Sequence, residues 1–234
     1  MKSEQQQYGA IFDMDGTLAD NIPVHMRVFQ GIFKEHGVDV SLDVMLKECN
    51  GLRNPEILEK FLPHTTDAER EVITHEKEVI YRSYYREHAK EIAGLTNFLK
   101  DLKANGVKLA LGTSAPIENL EFFMEVLGVG EYFDEKIYDK SVVNGKPHPE
   151  VFLTAAERLG VDADHCIVFE DAVMGVKAAH NAKMRVACVT TSHTSEELFG
   201  MGAIHTMDDY TGMNYEKYME LFKIAPTYPK FIQS

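Results

Sequence analysis

Cysteine is scarce in this 234-residue chain: Cys49, Cys166 and Cys188 are odd in number and far apart. No paired Cys/His spacing for zinc accompanies them, so a zinc centre of that kind is excluded. A reducing, cytoplasmic compartment is the expectation, with the thiols serving as small buried apolar residues. Positive charge is short as well. Lys and Arg total 24 against 37 Asp and Glu, for a formal charge of −13, and no basic run occurs. Such a surface repels nucleic acid and anionic membranes, so neither is an expected partner. Long apolar runs are also missing. The polar start Met1-Lys2-Ser3-Glu4-Gln5-Gln6-Gln7 leads into a short apolar run that stops at Asp13, which is not expected to act as a secretory signal. No stretch approaches membrane-spanning length. There is no internal repeat, low complexity is confined to the glutamine triplet, and nothing indicates an obligate protein partner.

What is present is ample core material: 44% of residues are apolar and 26% charged, enough for one domain or two small ones. Tyr8 to Phe12 reads as a short buried strand ending in the acidic turn Asp13-Met14-Asp15-Gly16. From Pro23 to His88 the patterns are helical. Val24, Val28, Phe29, Ile32 and Phe33 share one face with Gly37 as a stop, and Thr66 with Glu69 forms a capping box opening a long helix through Val72, Val79, Ile80 and Tyr84. After Gly94 strands and helices alternate. Strands are expected at Val107–Leu111, Cys166–Phe169 and Arg185–Val189. Helices are expected up to Asn105-Gly106, after Pro116 with Gly128 as a stop, and at about Pro149–Leu159 and Ala172–Asn181. This alternation predicts an α/β fold, a doubly wound parallel Rossmann-like sheet with chemistry at the carboxyl ends of its strands. Residues 1–20 and 89–234 would form that core, and residues 21–88 an inserted α-helical cap sitting above the acidic turn.

Asp13 and Asp15 bring two carboxylates to one strand end, where they repel each other unless a divalent cation lies between them. Oxygen-only ligands point to magnesium, while a solvated turn or a calcium loop remain alternatives. Further strand ends add to this. Gly112-Thr113-Ser114 precedes a helix start at Pro116, placing a hydroxyl and N–H groups where an anion could bind, although a threonine in this position is by itself more often a plain helix cap. Lys146 lies in the proline-stiffened loop Asn144-Gly145-Lys146-Pro147-His148-Pro149, and a lysine in a loop is ordinarily solvated. Glu170-Asp171 forms a second acidic pair after Val168-Phe169. Carboxylates, a hydroxyl with N–H donors and an ammonium together suit phosphoryl transfer, in which positioning and charge neutralisation dominate.

Asp13-Met14-Asp15-Gly16-Thr17, Thr113-Ser114, Lys146-Pro147 and Glu170-Asp171, in that order along nearly the whole chain, resemble the four motifs of haloacid dehalogenase-like phosphotransferases. The helical insertion, with Phe169-Glu170-Asp171-Ala172-Val173-Met174-Gly175-Val176, resembles the β-phosphoglucomutase-like branch with a helical cap. The resemblance implies that Asp13 attacks phosphorus to give an aspartyl-phosphate. Asp15 would protonate the leaving oxygen and then activate the incoming hydroxyl. It further implies that Thr113, the Ser114 N–H and Lys146 hold the phosphoryl oxygens, and that Asp13, the Asp15 carbonyl, Glu170 and Asp171 surround Mg2+.

In the cap, Asn21, His25, Arg53 and Lys77 are the candidates for choosing the leaving group. By residue type alone, His25 and Lys77 would be solvent-facing; by resemblance they contact substrate and help orient Asp15. The mutase loop reads Gly-x-Ser-Arg, whereas Gly51-Leu52-Arg53-Asn54 displaces the arginine by one position. Phosphatases of the branch often carry Gly-Leu-Arg there. This favours a phosphatase acting on a small phosphorylated metabolite such as a hexose phosphate. A β-phosphoglucomutase is the alternative. A remoter one is a receiver module, which needs neither a lid nor an acid two residues beyond its phosphorylated aspartate.

Overall fold

The computed structural model describes residues 6–49 and 52–227. The chain divides into two compact units, residues 1–19 with 91–234 and residues 20–90.

The larger unit is built on a six-stranded parallel sheet in the order β3-β2-β1-β4-β5-β6. The strands are β1 (Gly9–Phe12), β2 (Lys108–Gly112), β3 (Glu135–Ile137), β4 (Cys166–Glu170), β5 (Arg185–Val189) and β6 (His205–Met207). Every residue of β1 and β4 is buried, as expected of central parallel strands covered on both faces. Val107 does not join β2. Its N–H closes the preceding helix α5 (Leu95–Ala104) on Leu102 O at 3.0 Å, and the ladder begins one residue later with Gly9 opposite Lys108. The short edge strands β3 and β6 were not expected.

On one face of the sheet, Val151, Phe152 and Ala155 pack with Ile11, Val168 and Val186. A second core joins Phe12, Phe98, Phe169 and Tyr210, with Phe12 and Phe169 stacked at 4.5 Å. The Tyr210 hydroxyl donates to Thr17 O at 3.1 Å, fastening the chain just beyond the acidic turn. All three cysteines are buried and free.

The smaller unit contains α1 (Ile22–Glu35), α2 (Leu42–Cys49), α3 (Asn54–Phe61) and α4 (Asp67–Tyr85). Thr66 and Glu69 form the expected capping box on α4. The apolar residues named along that helix do not form its buried face. Val72, Val79, Ile80 and Tyr84 are exposed, and the buried face is Ile73, Lys77, Glu78, Tyr81 and Tyr85. Polar residues took the inner face because they bond to one another there, a pattern that apolar periodicity does not register. Gly51 of the arginine loop lies outside the described residues. Among the described residues, no helix is long and apolar enough to cross a membrane.

Candidate active site

Strand register assembles the site. Phe12 pairs with Leu111 and Phe169, so Asp13 emerges level with Gly112 on β2 and Glu170 on β4. The Asp13 N–H donates to Phe169 O at 2.9 Å, which holds the residue at the sheet's topological switch point. Lys146 arrives from the long connection between β3 and helix α7 (Glu150–Leu159), not directly off a strand. Its ammonium donates to Asp13 Oδ1 at 2.5 Å and to Glu170 Oε1 at 2.7 Å, and its side chain is only 9% exposed, contrary to the solvated reading.

Glu170 ends β4 and turns its other oxygen to the chain that follows. Oε2 accepts from the N–H groups of Asp171 and Ala172, each at 2.8 Å. Helix α8 (Val173–Asn181) then passes so close that a Cβ on Gly175 would stand 1.6 Å from Glu170 Oε1. Gly16 is constrained in the same way: its φ is +77°, and a Cβ there would lie 2.0 Å from Asp171 Oδ2. Two glycines thus let backbone approach the two carboxylates.

Asp13, Glu170 and Asp171 are buried, and one carboxylate oxygen from each lies within 4.8 Å of the others. Burial pushes Asp13 up to about 7, Lys146 opposes that rise, and Glu170 and Asp15 add to it. Asp171 is raised well above its ordinary value by burial, then by Glu170 and Asp13. For Lys146, burial acts downward, but Asp13 and Glu170 outweigh it and raise the group. One ammonium among three carboxylates leaves an excess of buried negative charge. An all-oxygen set of this kind fits a hard divalent cation.

Thr113 is buried beyond β2. Its N–H donates to Ile137 O at 3.0 Å, and its hydroxyl accepts from the Ala115 N–H at 3.0 Å. It does not cap the following helix α6 (Ile117–Leu127), whose N-cap is Pro116, and Ser114 is exposed. Asp15 lies in a tight turn in which Gly16 N bonds Ala19 O at 2.9 Å.

Within the smaller unit, Asn21, His25 and Lys77 are buried together, contrary to the solvent-facing reading of His25 and Lys77. Lys77 Nζ is 2.6 Å from His25 Nδ1 and 2.8 Å from Glu78 Oε1, and Asn21 Nδ2 is 2.7 Å from the Tyr81 hydroxyl. Among the described residues, Arg53 is engaged by Glu56 and not by this group. Its side chain is 60% exposed and donates to Glu56 Oε1 at 2.9 Å.

The sequence profile of the haloacid dehalogenase-like hydrolases matches residues 10–189. The chain belongs to this family. Among its relatives is the phosphorylated carbohydrates phosphatase of Thermotoga maritima, 29% identical over 205 residues, covering 85% of this chain and 86% of that one. The fructose-1-phosphate phosphatase of Escherichia coli is 30% identical over 177 residues, covering 75% and 93%. A family IA hydrolase from Entamoeba histolytica superposes with TM-score 0.87 at 28% identity, covering 93% of this chain and all (100%) of the other. A β-phosphoglucomutase from Clostridium difficile gives 0.81 at 25%, covering 93% and 98%.

Membership of the haloacid dehalogenase-like hydrolases sets aside the receiver module. In this member, sequence reading missed the residues that hold Asp171. Thr17 Oγ1 donates to its Oδ1 at 3.2 Å, and Ser192 Oγ donates to its Oδ2. Thr191 Oγ1 donates to Gly16 O at 2.6 Å. A signal was available: Thr190-Thr191-Ser192 follows β5 just as Thr113-Ser114 follows β2.

Proposed function

We propose that the chain is a magnesium-dependent phosphatase of sugar phosphates working through an aspartyl-phosphate on Asp13. The observation that carries this reading is the meeting of Asp13, Glu170 and Asp171 within 4.8 Å, with Lys146 bonded to the first two.

An Asp13 oxygen attacks phosphorus while the bond from phosphorus to the sugar oxygen breaks, and Asp15 gives that oxygen its proton. Asp15 then takes a proton from water. The water oxygen attacks phosphorus, inorganic phosphate leaves and the Asp13 carboxylate is restored. Lys146, the Thr113 hydroxyl and the Ser114 N–H hold the phosphoryl oxygens. Because Thr113 Oγ1 already accepts from Ala115, its hydrogen is the part available to a phosphate oxygen. Asp13, the Asp15 carbonyl, Glu170 and Asp171 would hold magnesium, which when bound neutralises charge on the transferring group.

The helical unit serves in this reading as the cap that selects the leaving group through Asn21, His25, Lys77 and Arg53. Hydrolysis is favoured over sugar-phosphate isomerisation because Arg53 is displaced from the mutase position and engaged by Glu56. The named activities of the Thermotoga and Escherichia relatives point the same way. The deciding experiment is a panel of hexose and hexitol phosphates incubated with protein and magnesium, followed for both free phosphate and isomerised product. Free phosphate is expected. Glucose 6-phosphate formed from β-glucose 1-phosphate without free phosphate would overturn the reading.

A further inference from the structure

We propose that Glu78 is a positioning residue that fixes His25 as the tautomer carrying its proton on Nε2. The argument starts from burial. Lys77 and Glu78 are only 1% and 5% exposed, and buried charges persist where they are paired. At 2.8 Å, the Glu78 carboxylate keeps Lys77 as an ammonium. Lys77 also lies 4.9 Å from the centroid of the Phe29 ring, which favours the cation as well.

An ammonium carries three donors and no lone pair. Lys77 Nζ is 2.6 Å from His25 Nδ1, so that nitrogen must accept and the ring proton resides on Nε2. Stacking on Tyr81, with centroids 3.7 Å apart and planes 16° apart, fixes where Nε2–H points. The Asn21 amide answers this. Its nitrogen stands 3.3 Å from Nε2 and 2.7 Å from the Tyr81 hydroxyl. A half-turn of the amide replaces that donor by Oδ1, which accepts from both.

Glu78 has a second duty. Its Oε1 accepts from Asn54 Nδ2 at 2.6 Å, at the start of α3 and next to Arg53. One carboxylate therefore sets the hydrogen bonding of His25 and fastens the turn that bears Arg53. That this matters for turnover rests on the proposed role of His25 and Arg53 toward substrate; the tautomer itself does not.

Glu78→Gln removes the carboxylate that lies 2.8 Å from Lys77 Nζ. The expected response is that the amine gives up a proton and its lone pair accepts from His25, whose proton moves to Nδ1. The test is NMR of the full chain labelled with 13C and 15N in histidine, with His25→Asn identifying the His25 signals. Wild type should show the Nε2–H tautomer, Glu78→Gln the Nδ1–H tautomer, and Lys77→Met a mixture. Circular dichroism checks folding, and Lys77→Met carries the test if Glu78→Gln does not fold. The catalytic efficiency of Glu78→Gln on a hexose phosphate should fall about tenfold or more. An Nδ1–H tautomer in wild type, or an unchanged tautomer in folded Glu78→Gln, overturns the proposal. A tautomer shift with unchanged catalytic efficiency upholds it and removes His25 from the substrate role.

Discussion

At the scale of single residues, the site poses one electrostatic problem: a carboxylate must be ionised to attack phosphorus, yet burial moves Asp13 up to about 7. Lys146, at 2.5 Å, opposes that shift, and a cation shared with Glu170 and Asp171 would oppose it further. Asp13→Asn keeps the side chain's volume but supplies no nucleophile. Turnover of every phosphate monoester should therefore drop to the uncatalysed background while circular dichroism stays unchanged, and substantial residual activity would remove Asp13 from its role. Asp15 is assigned a different task, and its substitution should read differently. Asp15→Asn should cost about 10²–10⁴-fold on alkyl phosphates, whose leaving oxygen needs a proton, and markedly less on aryl phosphates. Equal losses on both in steady-state assays would contradict the acid-base assignment.

At the scale of elements, the same substitution should have opposite effects at two glycines. Gly175 lies in the first turn of α8 against Glu170, where an added methyl overlaps the carboxylate. Gly175→Ala should destabilise the protein by about 1–3 kcal/mol, and magnesium affinity should weaken about 10–100-fold because Glu170 must move. Gly31 sits exposed within α1 with nothing within 4 Å of its would-be Cβ. Gly31→Ala should stabilise by about 0.5–1 kcal/mol, since it only restricts the unfolded chain. Thermal melts and magnesium titration check both. The contrast also marks what the sequence could disclose. Strands β1, β2, β4 and β5 announced themselves as apolar runs, and their ends carried Asp13, Thr113, Glu170 and Asp171. Strands β3, Glu135-Lys136-Ile137, and β6, His205-Thr206-Met207, are three residues each and mostly polar, too short for any periodicity to emerge. The inner face of α4 stayed hidden because Lys77 and Glu78 look like solvated residues until His25 and Asn54 are placed beside them. Ser192 reaches Asp171 only through the adjacency of β4 and β5, which the order of the chain does not state.

At the scale of the whole molecule, a chain of charge −13 holds three further-crowded carboxylates in its interior, so its stability should depend jointly on pH and on a divalent cation. Folding raises Asp13 from 3.8 to about 7, and Asp171 moves in the same direction. The folded form therefore retains protons that the unfolded chain has released. Their contribution to stability is full below pH 3.8 and is lost as pH climbs through about 7. Chelator-treated protein should accordingly lose stability from these groups as pH rises from about 4 to 7. Magnesium binds the deprotonated carboxylates, so it competes with those protons and should bind more tightly at pH 8 than at pH 5. At one hundred times its Kd, an ion confined to the folded state contributes about 2.7 kcal/mol. That corresponds to roughly 5–11 °C in Tm for a chain of this size. Calorimetry at a fixed magnesium concentration, with and without chelator, should thus show a large upward shift at pH 8 and a small one at pH 5. Equal shifts at the two pH values would mean that the ion is held elsewhere than by Asp13 and Asp171.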